Sequence, residues 1–221
     1  MKTRQTTTTK RKASFTSSDA IPARWYHWEK WFPYHLVGAS LVGLLASFAL
    51  ALEKIASLQN PNRTTLCDIN PIMSCSSVMD SAQASVFGIP HSLIGIAIFG
   101  GLTAVGLVIL LHGTLSNRLW WVLLSGFSFG FISVQYLVIQ SIFILQALCP
   151  WCMVIWLVVV PLVFGAIAYC WRRSLITVKQ PMMASVLRWL SNHGAAVLLV
   201  WFIVVLYAII WQFWYYWETL L

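Results

Sequence analysis

Charged residues fall in short blocks along this chain, separated by long runs that contain none. Leu36–Leu52 is uncharged and is followed by Glu53 and Lys54; Ser81–Asn117, Leu119–Trp171 and Gly194–Trp217 are uncharged as well. A helix crossing about 30 Å of hydrocarbon needs about 20 residues. The run 119–171 is too long for one crossing and suits two joined by a tight turn. "LQALCP" (145–150) is the expected turn, because proline is favoured in the first turn of a helix and disfavoured inside one. The pattern predicts five helices, near 35–57, 91–112, 119–144, 150–171 and 195–217. It shows no internal repeat and no second domain.

Composition agrees with a chain that uses lipid as its solvent. Of 221 residues, 59% are apolar and 9% are charged, against about 25% charged in soluble domains. The net charge of +8 could suggest nucleic acid, but its distribution excludes that reading. With five crossings and a cytoplasmic N-terminus, the inside segments hold twelve of the Lys and Arg residues and the outside segments only Lys54 and Arg63. The basic charge is thus a positive-inside signal for a multi-pass cell-membrane protein whose C-terminus is extracytoplasmic. Trp25, Tyr26, Trp28 and Trp31 at one end, and Trp211, Trp214, Tyr215, Tyr216 and Trp217 at the other, form interfacial belts. Leu36–Ala51 is too long and too far from Met1 for a signal peptide, so it is expected to be retained as a helix.

This topology places four of the five cysteines on the outside face. Cys67 and Cys75 lie in the loop between the first two helices, and Cys149 and Cys152 at the outer start of the fourth. Cys170 falls at the opposite end of that helix, as a small buried hydrophobe. Three readings of the four remain: two structural disulfides, a Cys₄ metal site, or redox-active thiols. Position favours the last. Cys149 is at a helix start with Pro150 next, where unpaired backbone N–H groups lower a thiol's pKa and stabilise the attacking thiolate. Cys152, one turn on, shares its face of the helix.

An acceptor for the electrons must then be found. The chain has no G-x-G-x-x-G, P-loop, C-x-x-C-H or ferredoxin cysteine cluster. A dithiol opening into a membrane bundle can most simply give its electrons to a lipid-soluble quinone. The competing classes are a small-solute carrier, or an assembly protein, with structural disulfides. Carriers often hold charge at mid-membrane; the strongest polar candidates within these spans are Gln135 and Gln140, which can also bond between helices.

"LCDINPIMSCSSVMDSAQASVFGIPHSLIG" (66–95), followed by "ALCPWCMVIW" (147–156), resembles the vitamin K epoxide reductase family, especially its bacterial members. The matching features are the Cys-Asp opening, the C-x7-C spacing, a serine six residues after the second cysteine, and C-x-x-C on the fourth helix. The resemblance spans about residues 35–170. The functionally analogous DsbB-type proteins carry their C-x-x-C before the loop pair, the reverse of the order here.

The resemblance implies an all-α membrane protein: a four-helix bundle around a quinone (menaquinone or ubiquinone), with no metal and a peripheral fifth helix. The expected boundaries are a basic disordered segment 1–33, a catalytic bundle 34–171 with an outer loop 58–90, a cytoplasmic loop 172–194 and a fifth helix 195–221. The resemblance also implies the disulfides Cys67–Cys75 and Cys149–Cys152, with Cys67 facing a reduced thioredoxin-fold, DsbA-like partner and Cys152 facing the quinone. Asp68 would hold the loop or engage the partner, and Ser81, His91 and Trp156 would line the quinone site. His91 and Trp156 stand where the animal enzymes carry asparagine and tyrosine, which puts epoxide reduction in doubt. Many bacterial relatives carry a fused thioredoxin-like domain; with no cysteine after Cys170, the partner is expected in trans. "VMDSAQASVFGIP" (78–90) is expected to be a half-helix capping the quinone pocket.

Overall fold

The computed structural model describes residues 26–60, 67, 68, 70, 72–79, 81, 85, 86, 89–111, 113, 115–175 and 180–218. It is an all-α membrane architecture. Its long helices are α1 (Tyr26–Gln59), α3 (His91–Leu110), α4 (Asn117–Ile139), α5 (Pro150–Arg172) and α6 (Pro181–Gln212). Each is long and apolar enough to cross a membrane. Between α1 and α3 lie a short helix α2 (Cys75–Met79) and an antiparallel pair of two-residue strands, β1 (Ser85–Val86) and β2 (Ile89–Pro90). A last short helix, α7, spans Trp214–Glu218.

Three boundaries differ from the sequence pattern. Helix α1 begins at Tyr26, so the segment expected to be disordered to residue 33 is helical over its last eight residues; residues 1–25 lie outside the described residues. Phe32 explains the extension, because its buried ring stacks on Tyr169 of α5 at 4.6 Å between centroids. Helix α6 begins at Pro181, so most of the expected cytoplasmic loop 172–194 is helix. Arg172 Nη2 donates to the Ser191 carbonyl at 2.8 Å, holding that early part of α6 against the end of α5. The expected half-helix over 78–90 ends at Met79, where Ser81 turns back on Val78, and the strand pair follows.

Helix α5 is central, packed against α1, α4 and α6, while α3 lies along α1. The α1–α3 seam is narrow because small residues line it. A Cβ on Gly43 would sit 2.5 Å from the Phe99 ring, and one on Gly95 the same distance from Ser47 Oγ. Thr103 Oγ1 donates across the seam to Ser40 Oγ at 3.0 Å, and Ser40 Oγ to the Leu36 carbonyl at 2.6 Å. Phe32, Leu36, Phe99, Trp120, Phe127, Leu162 and Tyr169 fill one end of the bundle. Toward the other end, Val134, Val138 and Ile142 of α4 and its extension meet Trp156 and Val160 of α5 and Phe213 after α6. No residue of α6's most apolar window is buried, so α6 is peripheral.

Candidate active site

A stretch of backbone pairing carries the loop to the start of α5. The last turn of α4 widens into a π-helical turn, Gln140–Ile144, and Leu145 N donates to the Gln140 carbonyl at 2.8 Å. Gln146 then takes a left-handed φ of 49°, and the chain reverses. Leu148 follows in extended form and pairs with Met73 as an isolated parallel bridge. Leu148 N donates to the Ile72 carbonyl at 2.7 Å, and Ser74 N to the Leu148 carbonyl at 3.1 Å. These bonds satisfy groups that neither α4 nor α5 can reach, and they bring Cys75 and Cys149 side by side.

Helix α2 is held at both ends. Its leading N–H groups are met by side chains: Ser77 N donates to Ser74 Oγ and Ser76 N to Asp68 Oδ1, both at 3.2 Å. Asp68 therefore holds the loop. At the far end, Lys54 Nζ reaches from α1 to the Met79 carbonyl at 3.2 Å, where a cation suits the helix C-terminus.

The cysteines form a continuous line of sulfur. Cys67 and Cys75 are disulfide-bonded, with Cα atoms 5.7 Å apart. Cys75 Sγ lies 3.2 Å from Cys149 Sγ. Cys75 and Cys149 have no exposed surface, whereas Cys67 keeps 5%, which makes Cys67 the more approachable end of its bridge. Leu50 of α1 closes the cluster, with Val78, Met79, Cys152 and Ile155 around it. Cys149 and Cys152 are free thiols rather than the bridge the resemblance implies. Dithiol and disulfide are the two states of one redox couple, so free thiols at these positions are compatible with the implied bridge. Cys170 lies apart, buried in the cluster at the other end of α5.

Cys149 is the N-cap of α5, in extended backbone with Pro150 following. Its thiol is held below the ordinary range, chiefly by a hydrogen bond from the Cys152 thiol and further by the N–H groups of Cys152 and Trp151. Burial and the Asp68 carboxylate oppose this without reversing it. The sulfur touching the loop disulfide is thus the one favoured as thiolate, the form that exchanges disulfides.

The three other expected site residues lie just beyond α2, at the start of α3 and within α5. Trp156 is buried one turn beyond Cys152, in a cluster with residues of α4 and α6 that Cys152 also touches. His91 opens α3, with Nδ1 buried and without a hydrogen-bond partner among the described residues. Ser81 Oγ donates to the Val78 carbonyl at 2.7 Å, so its hydroxyl proton is engaged locally. Sequence reasoning missed the Met73–Leu148 bridge, which uses backbone groups only. It singled out Gln135 as a possible tie between helices, and Trp201 Nε1 of α6 donates to Gln135 Oε1 at 3.0 Å. Among the described residues, no group of three or more His, Cys, Asp or Glu side chains could hold a metal ion.

A bundle of membrane-length helices with a disulfide packed against a helix-capping dithiol has the make-up of a membrane redox protein. Residues 34–167 match the family model described as the vitamin K epoxide reductase family. That is more than half of the chain, and the protein belongs to this family, whose members are oxidoreductases that use quinones. The match runs from α1 through most of α5 and does not reach α6. No curated protein matches the sequence.

Proposed function

We propose that this protein oxidises an extracytoplasmic thioredoxin-fold, DsbA-like partner that docks in trans, and passes the electrons through two cysteine pairs to a membrane quinone. It would thereby support disulfide formation in other proteins. The observation that carries the reading is the 3.2 Å contact of Cys75 Sγ with Cys149 Sγ, with Cys75 already bridged to Cys67.

A partner thiolate attacks Cys67 Sγ, breaking Cys67–Cys75 and forming a mixed disulfide. The partner's second thiol resolves it, leaving the partner oxidised and Cys67 and Cys75 as thiols. Cys75, as thiolate, attacks Cys149 of a Cys149–Cys152 bridge and releases Cys152. Cys67 then attacks Cys75 and releases Cys149. The result is a Cys67–Cys75 bridge with Cys149 and Cys152 reduced. A bound quinone supplies an acceptor for two electrons and two protons, which returns Cys149 and Cys152 to the bridged state. Quinone carbonyls only accept hydrogen bonds, so His91 Nδ1, which has no partner among the described residues, is a suitable donor when it carries the ring proton, as is the Trp156 indole N–H.

The Lys and Arg asymmetry supports placing the four cysteines on the extracytoplasmic face of the cell membrane. The test is quinone reduction by the purified chain with a reduced thioredoxin-fold dithiol. One quinone should be reduced per partner disulfide formed; no quinone reduction with partner and dithiol both present would reject the reading.

A further inference from the structure

The cluster between α4, α5 and α6 contains Cys152 and Trp156 and extends to Trp201. An amide lies among these apolar groups. Gln135, on the same stretch of α4 as the buried Val134 and Val138, meets Trp201 of α6 through a 3.0 Å hydrogen bond from Nε1 to Oε1. An indole nitrogen only donates. The bond therefore fixes which way the amide faces: its oxygen is turned to Trp201 and its NH₂ group away from it.

That NH₂ group is where the arrangement is incomplete. Gln135 Nε2 is buried and has no hydrogen-bond partner among the described residues. Inside a bilayer there is no bulk water to meet it, and an unmet amide donor there is costly. A tie between α4 and α6 uses only the oxygen. The remaining donor is held in a fixed direction within the set of helices whose apolar cluster includes Cys152.

We propose that Gln135 donates from Nε2 to a carbonyl oxygen of the quinone, and that Trp201 positions it for this. The inference rests on the quinone reading above. It gives α6, which lies beyond the family match, a part in the acceptor site: Trp201 acts through Gln135 and does not touch the acceptor. A quinone carbonyl is the fitting chemistry because it accepts without donating, and Gln135 Oε1 is already engaged.

The test is equilibrium binding of a short-chain benzoquinone to the full chain in lipid nanodiscs, with the thermal melting midpoint as the check on folding. Gln135→Leu should raise the Kd about fivefold, within the range of one neutral hydrogen bond. Trp201→Phe keeps the amide but frees it, and should raise the Kd about twofold. The double variant should bind no more weakly than Gln135→Leu, because residues that act as one unit are not additive. If Gln135→Leu fails to fold, Trp201→Phe carries the test. Folded variants that bind as tightly as the unsubstituted chain would overturn the role of Gln135 and leave the quinone reading standing. An unsubstituted chain that binds no quinone would overturn both.

Discussion

Cys75 Sγ and Cys149 Sγ are 3.2 Å apart, one already bridged to Cys67 and the other hydrogen-bonded by Cys152. Sulfur exchange between the loop and the helix thus needs no approach of distant parts. The backbone pairing of Met73 with Leu148 has already made that approach.

The two cysteine pairs should separate by donor. Cys67→Ala and Cys75→Ala should abolish oxidation of the protein partner while a small dithiol still reduces quinone through Cys149 and Cys152. Cys149→Ala or Cys152→Ala should reduce both reactions to background. Identical behaviour of loop and helix variants with the small dithiol, followed by quinone absorbance, would argue against an ordered relay.

The Cys149 thiol should ionise more readily than an ordinary thiol, chiefly because the Cys152 thiol donates to it. Its ultraviolet thiolate absorbance, read as the difference against Cys149→Ala, should titrate with a midpoint below that of the unfolded chain. Cys152→Ala removes the largest cause of the depression and should move the midpoint up. Asp68→Asn keeps an oxygen for Ser76 N but loses the opposing charge, so it should move the midpoint down. Because folding favours the ionised form, the stabilisation of the reduced protein is present above the unfolded thiol's pKa. It is lost as pH falls through the folded one.

Ser74→Ala should loosen α2 without unfolding the bundle. It removes the oxygen that accepts from Ser77 N, an effect typically of about 1 kcal/mol at a helix start. Amide exchange at Ser77 should accelerate about fivefold, while the melting midpoint of the whole chain changes little. Unchanged exchange at Ser77 would show that its cap does not hold α2.

Gly43→Ala should destabilise the α1–α3 seam, because its new methyl would meet the Phe99 ring. Thermal melting should show the loss, and Phe99→Leu in the same chain should recover part of it. Equal melting of Gly43→Ala and the unsubstituted protein would mean that the seam can open freely.

Much of the fold was legible from the charge-free runs, since a bilayer penalises charge strongly enough to leave blocks with sharp edges. Pro150 marked the start of α5 to the residue, as its ring favours the first turn. The N-terminal ends of α1 and α6 were not legible. Both helices continue through charged residues, Lys30 in α1 and Arg188 in α6, so the edge of a charge-free run is not a helix end. The four cysteines stood out by spacing and side. Their meeting did not, because the bridge that aligns them uses the backbone of Ile72, Ser74 and Leu148, which carries no side-chain signature. Ser81 was singled out by the family resemblance, which could not reveal that its hydroxyl bonds Val78.

The central claim is that electrons cross from the loop to the helix between Cys75 and Cys149. Cys67→Ser/Cys152→Ser leaves those two thiols in place, and under mild oxidation it should form a Cys75–Cys149 bridge, identified by mass spectrometry of the linked peptides. Cys75→Ser/Cys152→Ser, which leaves Cys67 and Cys149, should form the corresponding bridge far more slowly. Absence of the Cys75–Cys149 bridge, or equal bridging in the two variants, would contradict the account.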